Sequence, residues 1–562
     1  MHAVRRVPQR LSGGRDKDRI EEKMPRIRID NITVDVPAGA TILDAARKAG
    51  IDIPTLCHRQ GHPPMTSCLV CVVRVNGASR LVPSCATLAQ EGMVVASETP
   101  DVLEARRTAL ELLLADHVGD CVAPCTQICP AHMDIPRMLQ AIARGDDRQA
   151  LIIVKQAIAL PATLGRICPE LCEKGCRRGD VDEPVAICKM KRHAADMDLF
   201  GGNPWLPQRR PPSGRSVAIV GAGPAGLAAA WYLSALGHAC TIFDDHPLPG
   251  GALRYAVPED LLPREVLDAE ISLILRLGAT FRGEFVLGRD AGIQDLLKQY
   301  SAVLVATGPA DAAKLASFGV PLLAGRGPAF DKNTLMTRAP GVFLAGGVIT
   351  PYKHAIRAVA DGRHVAASIH QYLSGAPVVG EDRLYSIHIG RLKGEELAVL
   401  RQGAAEAPRQ QADVRSGAIP PALARVEASR CLQCQCSADC TCTLRQLSAR
   451  LGANQRRFTV QRRPVERVIV HLGVVYERNK CIACGLCIQV AEEAREELGL
   501  TWVGRGFNIR VAVPLDGRGR AALMRCAAEC VEVCPTGALS FTSAAACRCA
   551  EQTTAASGQE RR

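Results

Sequence analysis

The stretch Ser216-Val217-Ala218-Ile219-Val220-Gly221-Ala222-Gly223-Pro224-Ala225-Gly226 passes from a short apolar run, through a glycine-rich turn, into an alanine-rich segment that ends at Leu236. That order predicts a buried strand, a tight turn and a helix. A second apolar run, Cys240 to Phe243, ends at Asp244. In a dinucleotide-binding unit, Gly221, Gly223 and Gly226 let the backbone approach a pyrophosphate. The helix opening at Pro224 and Ala225 meets its charge, and Asp244 binds a ribose hydroxyl. The glycine motif alone is weak evidence; strand, helix and Asp244 together predict a Rossmann-like unit. Cys240, inside a strand, reads as core.

Outward from this unit, cysteine dominates: 25 in 562 residues, nearly all in tight groups. Thiolates at gaps of two or three residues, repeated along one chain, are how a protein holds several iron–sulfur clusters. Zinc is the rival ligand, but the endings Cys129-Pro130 and Cys534-Pro535 are a ferredoxin habit. No apolar run is long enough to span a bilayer. The basic segment 1–24 has Arg5-Arg6 with no apolar stretch behind it, so it reads as a disordered tail and not an export signal. The expected location is cytoplasmic, where a disulfide framework is out of place. The length requires several domains, and 47% hydrophobic residues suffice for their cores. Aromatics at 4% argue against stacking on nucleic acid. The formal charge of +12 shrinks on loading, because a four-thiolate cluster carries roughly −2 when oxidised and five would remove about ten charges.

Met24 to Val36 alternates in polarity, with Asp30-Asn31 as a turn between two strands, and Thr41 caps a helix from Ile42 to Ala49 closed by Gly50. Then come Cys57, ten residues, Cys68, two residues, Cys71, thirteen residues and Cys85. Four thiolates suffice for one [2Fe–2S] centre, although the spacing is not that of plant ferredoxins. Met65-Thr66-Ser67-Cys68-Leu69-Val70-Cys71 and Val82-Pro83-Ser84-Cys85-Ala86-Thr87 resemble the N-terminal domain of the large iron–sulfur subunit of complex I and its hydrogenase relatives, which implies a β-grasp 2Fe–2S domain.

A leucine-rich helix, Leu103 to Ala115, leads to Asp116-His117. His117, Cys121, Cys125 and Cys129 are spaced by four, and Cys168, Cys172 and Cys176 repeat the step; on a helix each set would share a face. Cys129-Pro130, Leu164-Gly165-Arg166-Ile167-Cys168-Pro169 and Glu183-Pro184-Val185-Ala186-Ile187 resemble the small subunit of glutamate synthase, whose helical domain holds two [4Fe–4S] clusters. Two clusters need eight ligands and this region offers seven cysteines. The family's first cysteine is missing, and Lys191 falls near the position where relatives use Glu or Gln. His117 stands before Cys121 as the cluster-binding His does in the complex I subunit, and Cys188 lies about a helical turn from the family's non-cysteine ligand. The resemblances imply His117/Cys121/Cys125/Cys176 for one cluster and Cys129/Cys168/Cys172/Cys188 for the other. The plainer readings are a charge at a helix C-terminus for His117 and a buried thiol for Cys188.

Pro249-Gly250-Gly251-Ala252-Leu253-Arg254-Tyr255 and Leu262-Pro263-Arg264-Glu265-Val266-Leu267-Asp268 resemble the same glutamate synthase family, in which this domain holds FAD. Val303 to Gly308 resembles the strand closing its first FAD segment; Pro340 to Gly347 and Ala358 to Tyr372 resemble its last. The implied FAD contacts are Gly221, Gly223, Pro224, Ala225, Gly226, Asp244, Gly250, Gly251, Arg254, Thr307, Gly308, Gly346 and Gly347. The family inserts an NADPH domain between those segments. Here only 21 residues separate Gly308 from Phe330, too few for a βαβ unit and the rest of a nucleotide domain. Gly325-Arg326-Gly327 has no strand before it and no helix after it. The NADPH subdomain is therefore expected to be missing. Gly347 also stands where the family has an Asp that binds the ribityl chain, so an empty structural fold is the alternative to FAD.

Glu427-Ala428-Ser429-Arg430-Cys431-Leu432-Gln433-Cys434-Gln435-Cys436, followed by Cys440-Thr441-Cys442, offers a further [4Fe–4S] site, with Cys431, Cys434, Cys436 and Cys442 preferred and zinc as the alternative. Cys481-Ile482-Ala483-Cys484-Gly485-Leu486-Cys487 and Cys534-Pro535-Thr536-Gly537-Ala538-Leu539 resemble a bacterial-type ferredoxin, which implies one cluster on Cys481, Cys484, Cys487 and Cys534. Its second cluster looks lost: Ala491 replaces a cysteine, and Cys526 and Cys530 remain, with Cys547 and Cys549 beyond them. Thr501 to Phe507 resembles subunits of complex I-like hydrogenases and formate dehydrogenases.

The expected fold class is multidomain α/β and α+β. The expected layout is the tail 1–24, a β-grasp 2Fe–2S domain at 25–103 and a helical domain with two 4Fe–4S clusters at 104–203. An FAD-binding domain follows at 214–375, then a linker at 376–426, a Cys-rich 4Fe–4S segment at 427–460, a ferredoxin-like module at 461–545 and a tail at 546–562. The expected cofactors are FAD, one 2Fe–2S and about four 4Fe–4S clusters. The expected function is electron transfer within a cytoplasmic redox complex, with no catalytic substrate residues of its own. The resemblances imply as partners a formate dehydrogenase or hydrogenase catalytic subunit, a separate NADH-binding flavin subunit or ferredoxin, and no nucleic acid. The alternatives are a self-contained NAD(P)H-dependent oxidoreductase of the glutamate synthase small-subunit type and a non-redox zinc scaffold.

Overall fold

A computed structural model describes residues 24–323, 327–382, 385–411, 418–438, 440–458, 461–471, 473–513 and 522–541. Most of the tail 1–24, Gly325-Arg326, Cys547 and Cys549 lie outside the described residues. The chain is a mixed α/β multidomain protein whose described residues fall into two units: residues 24–117, 441–463 and 468–540 make one, and 118–440 with 464–467 make the body of the other.

In the first unit, Arg26–Ile29 and Ile32–Asp35 form an antiparallel hairpin turned at Asp30, whose φ is +50°. Val94–Ala96 runs parallel to Arg26–Ile29 and antiparallel to Val72–Val75, and Leu81–Pro83 completes a five-stranded sheet. The helix Ile42–Lys48 begins with a capping box, Thr41 Oγ1 accepting from Asp44 N and Asp44 Oδ2 from Thr41 N. Its apolar face joins Ile27, Ile29, Val73 and Val95 in one core. The helix Pro100–Asp116, expected to open the helical domain, belongs instead to this unit. Arg106 is buried against it and donates to Val72 O, and Arg107 reaches Leu451 O at the end of the helix Thr443–Leu451.

In the second unit, five parallel strands form one sheet in the order Val342–Leu344, Ala302–Val305, Ser216–Val220, Ala239–Phe243 and Thr280–Arg282. Pro224–Ala235 and Ala355–Leu373 pack together on it, so closely that a Cβ on Gly362 would collide with Ala225 O. Between Gly308 and Phe330 the described residues hold only the helix Ala312–Phe318 and the two-residue strands Leu322–Leu323 and Gly327–Pro328, not a second nucleotide fold. The helices at 135–199 share one continuous core with this sheet, so the expected helical and dinucleotide domains are a single packed body.

Two expectations about cysteine placement are corrected. The four-residue step from His117 to Cys129 is not one helix: Pro100–Asp116 stops before His117, and Pro124 starts a new short helix, Pro124–Ile128, with Cys129 as its C-cap. Likewise Cys168 ends the helix Pro161–Ile167, while Cys172 and Cys176 flank a 3-10 turn, Glu173–Gly175. The expected segment 427–460 is also divided. Residues through Cys440 belong to the second unit, and Thr441 onward to the first.

Candidate functional site

The described cysteines gather in buried groups. In the first unit, Cys57 Sγ lies 3.3 Å from Cys68 Sγ, and Cys71 Sγ lies 3.4 Å from Cys85 Sγ. All four are buried. Thr66 and Leu69, at φ of +50° and +53°, curl the loop so that Cys68 and Cys71 both turn inward. The hydrogen bond from Cys68 draws the Cys57 thiol down to about 6, and that from Cys85 does the same for Cys71. Two close pairs match two irons, each taking two thiolates.

Also in the first unit, Cys481, Cys484, Cys487 and Cys534 line one pocket with Tyr476, Val511 and Thr536. Ala483 and Gly485 adopt left-handed backbone (φ +54° and +75°), and Ala483 N donates to Cys481 Sγ at 3.4 Å. Burial, then the neighbouring thiolates, raises Cys487 well above its ordinary value. Cys526 and Cys530 stand 3.7 Å apart, with Cys530 directed at the Cys487 carbonyl. His117 is fully buried, and its Nδ1 lies 2.8 Å from Lys480 O. A carbonyl only accepts, so Nδ1 carries the proton and Nε2 keeps its lone pair. Burial lowers this imidazole to about 4. Cys442 caps the helix Thr443–Leu451, accepting from Arg445 N at 3.4 Å.

In the second unit, Cys129, Cys168, Cys172 and Cys188 line a second pocket with Lys191, Met133, Ile158 and Ile356. Cys188 and Lys191 sit one turn apart on the helix Ile187–Leu199. Glu173 Oε1 holds Cys188 N at 3.0 Å and is itself tied to Arg409 at 2.6 Å. The hydrogen bond with Cys188 lowers the Cys168 thiol to about 5. Lys191 is buried and donates to Leu164 O at 3.2 Å; burial disfavours its charge, but Cys188, Cys168, Cys172 and Cys129 together outweigh burial and hold it protonated.

The expected grouping of Cys125 and Cys176 with His117 and Cys121 spans the two units, because His117 closes the first segment of one and the three cysteines belong to the other. The thiolates felt most strongly at Cys125, after burial, are Cys431, Cys176 and Cys434. The expected set Cys431/Cys434/Cys436/Cys442 likewise spans the units, Cys442 lying in the first and the other three in the second. Cys436 N donates to Asp120 O at 3.0 Å, next to Cys121. His117 and Cys442 fall in the first unit, and Cys121 and Cys436 in the second. Cys440 receives a hydrogen bond from Arg137 at 3.5 Å.

A tetrahedral zinc site, with Zn–S of about 2.3 Å, draws its sulfurs to within about 4 Å of one another. Among the described residues, the only three ligand atoms all within 4.8 Å of one another belong to Asp244, Asp245 and His246. Among the described residues no four-cysteine group is contracted around a single ion, and the donor sets fit polynuclear clusters better.

The glycine-rich turn explains itself residue by residue. Gly221 has φ of +114°, and a Cβ there would collide with Ala306 O; one on Gly226 would collide with Gly221 O; Gly223 faces open space. These are the tight turn, the close helix–strand packing and the face left free for a pyrophosphate. Gly251, with φ of +51°, lies against Gly223 Cα, and Gly250 N donates to Ala222 O. Asp244 is buried and accepts from Ala222 N at 2.6 Å and His246 N at 3.0 Å. Thr307 Oγ1 is buried without a hydrogen-bond partner among the described residues, an orphan that a bound dinucleotide would satisfy. Arg254 is occupied by Pro249 O and Asp268. A Cβ on Gly347 would come within 3.0 Å of Pro309, so Pro309 has taken the space of the acid implied at 347. One carboxylate missed by sequence reasoning is Asp361, which accepts from Gly346 N at 3.1 Å and is raised by burial.

Three family models match separate parts of the chain. Residues 22–100 match a 2Fe-2S iron-sulfur cluster binding domain, residues 105–201 the 4Fe-4S cluster domain II of dihydropyrimidine dehydrogenase, and residues 219–279 an NAD(P)-binding Rossmann-like domain. The chain carries iron–sulfur domains of both kinds beside a Rossmann-like domain. Its relatives include the beta subunit of NADP(+)-dependent formate dehydrogenase from Moorella thermoacetica, 42% identical over 207 residues, which are 33% of this chain and 29% of that protein. The beta subunit of NADPH-Fe(3+) oxidoreductase from Geobacter sulfurreducens is 38% identical over 188 residues, covering 33% and 28%. The small chain of NADPH glutamate synthase from Escherichia coli K12 is 35% identical over 199 residues, covering 34% and 42%. The chain therefore spans less than half the length of each. A solved NAD+-reducing [NiFe]-hydrogenase in the H2-reduced state shares 34% identity over 22% of this chain and 49% of that one, with a TM-score of 0.17. No single described helix is long and apolar enough to cross a membrane.

Proposed function

We propose that the chain is an oxidoreductase subunit that transfers electrons within a redox complex, carrying one [2Fe–2S] centre in a β-grasp domain, four [4Fe–4S] centres and one FAD. The observation that carries this reading is the convergence of buried and half-buried cysteines into separate groups, none of them, among the described residues, contracted around one ion. When bound, the clusters supply one-electron steps and the flavin two-electron steps. The chain's own residues bind, space and tune these groups. Cys57, Cys68, Cys71 and Cys85 would hold the first centre, Cys129, Cys168, Cys172 and Cys188 another, and Cys481, Cys484, Cys487 and Cys534 a third. Gly221, Gly223, Pro224, Ala225 and Gly226 would present helix N–H groups to the dinucleotide phosphates, with Asp244 at the ribose and Thr307 as a further donor. The partner is a formate dehydrogenase or hydrogenase catalytic subunit, or ferredoxin, and the setting is cytoplasmic; the formate dehydrogenase relative supports the choice of partner.

Iron, acid-labile sulfide, zinc and flavin are to be counted in anaerobically purified protein, followed by reductive titration with EPR. Stoichiometric zinc without sulfide sinks the proposal. A second reading, a self-contained NAD(P)H oxidoreductase, draws on the match of residues 219–279 to an NAD(P)-binding domain. Rapid anaerobic reduction by NADPH or NADH, with no partner present, would establish it.

A further inference from the structure

We infer that Cys125, Cys176, Cys431 and Cys434 form one four-thiolate site for a [4Fe–4S] cluster, with ligands drawn from both sides of the dinucleotide-binding fold. The inference rests on the iron–sulfur reading above and goes beyond it by reassigning the ligands.

The segment that brings Cys431 and Cys434 is bolted in place. Glu427 and Arg430 are wholly buried and 2.9 Å apart. Glu427 also accepts from Ala186 N at 2.8 Å and Gln410 N at 2.7 Å. Arg430 donates to Glu183 O at 2.8 Å, Asp182 at 2.9 Å and Ala407 O at 2.9 Å. A buried pair with its remaining donors and acceptors filled tolerates no slippage of the segment that carries it. Arg178, two residues beyond Cys176, donates to Arg430 O at 3.2 Å, so Cys176 and Cys431 are held by the same bond network.

The other two corners are fixed as firmly. Gln433, at φ of +50°, turns the chain between Cys431 and Cys434, and its amide is gripped by Gln140 at 2.6 Å. Arg177, the residue after Cys176, pairs with Asp120 and donates to Gly390 O at 3.2 Å. A Cβ on Gly175 would collide with Ile128 and come within 3.3 Å of Pro124 O, so the Cys176 turn lies directly against the turn carrying Cys125. Cys125 belongs to the buried core of this unit, and Cys176, Cys431 and Cys434 are packed against that same core. Among the described residues, no three of these sulfurs come within the 4.8 Å that a shared single ion requires. That spacing suits a cluster standing between them, with Arg177 beside it as counter-charge.

The test uses the full chain, purified anaerobically as wild type, C125A, C176A, C431A, C434A, C129A and the double variant C125A/C431A. The readouts are iron and sulfide per chain and the EPR spectrum of the reduced protein. Each of the four single variants is expected to lose about four irons and the same EPR signal, whereas C129A loses a different one. The double variant is expected to lose no more iron than either single. Additive loss in the double variant, or loss of different signals in C125A and C431A, overturns the inference while leaving the iron–sulfur reading intact. A wild type devoid of sulfide overturns both. Should a variant fail to fold, wild-type protein losing clusters stepwise to ferricyanide is alkylated and mapped by mass spectrometry. Joint exposure of Cys125, Cys176, Cys431 and Cys434 supports the site, and exposure of Cys431 with Cys436 in place of Cys125 refutes it.

Discussion

Replacing Lys191 by Met should make the neighbouring centre distinctly harder to reduce. Lys191 is buried, bonded to Leu164 O at 3.2 Å and surrounded by Cys129, Cys168, Cys172 and Cys188. A cation there stabilises each electron added to a cluster on those thiolates. At an effective dielectric of about 20 and a separation on the order of 7 Å from the cluster centre, Coulomb's law gives roughly 2.4 kcal/mol. For a one-electron couple this corresponds to about 100 mV, because 59 mV is a tenfold change in equilibrium constant. Met keeps the length and removes the charge, so K191M is expected to lower the potential by about that amount, and K191R to keep most of it. The assay is a potentiometric titration followed by EPR, tracking the signal lost in C129A, with the [2Fe–2S] signal as internal reference. A shift below about 20 mV, or an upward one, would refute the assignment of Lys191 as that centre's counter-charge.

Three further substitutions separate fold from binding. Gly223→Ala meets open space, so stability should change by less than about 0.5 kcal/mol while flavin content falls at least tenfold; Gly226→Ala meets Gly221 O and should cost about 1–3 kcal/mol as well as the flavin. Denaturant midpoints and flavin absorbance read both. Gly347→Asp, which restores the acid implied by resemblance, should lower flavin content because of Pro309; increased occupancy would show that Pro309 yields. His117 titrates near 4 when folded because of burial, against about 6.5 unfolded. Between those values the unfolded chain binds more protons, so this group's contribution to stability is lost as the pH is lowered. The stability of wild type relative to His117→Gln should therefore drop by about 2 kcal/mol from pH 7 to pH 5, and a gap independent of pH would contradict a buried neutral imidazole.

What could be read from sequence was local. The Gly221 to Gly226 turn, the close run of Cys57 to Cys85, and the triplet Cys481, Cys484 and Cys487 all declare themselves within a few dozen residues. The partners of Cys125 and Cys176 could not be read this way, because the residues that choose them lie far along the chain. Glu427 and Arg430 pass for an ordinary surface pair at i,i+3 on a short helix, and only their complete burial turns them into an anchor. The one available signal was an ion pair set in an alanine-rich segment immediately before a Cys-x-x-Cys. The four-residue step from His117 misled for a simpler reason: Pro124 restarts the helix, so equal spacing in sequence is not equal spacing on one face.

The same burial changes the meaning of the chain's positive charge. Lysine and arginine outnumber the acids, 69 to 57, which on a surface would invite an anionic polymer. Several of these cations are instead buried or half-buried, each beside a thiolate group. Arg106 is buried with its guanidinium on Val72 O, next to Cys71, whose charge partly offsets the lowering that burial imposes. Lys191 stands over the group containing Cys188, and the charge of Cys434 adds to that of Asp120 in raising Arg177 against the effect of burial. Arg463 bonds the Cys481 carbonyl and draws that thiol down against the effect of burial. A cluster on four thiolates is a net anion, and a buried anion is tolerated only where opposite charge or donors stand close. A basic excess of this kind belongs to the electron centres. It predicts that neutralising any of these cations shifts one neighbouring centre to lower potential, while neutralising an exposed cation such as Arg26 shifts none.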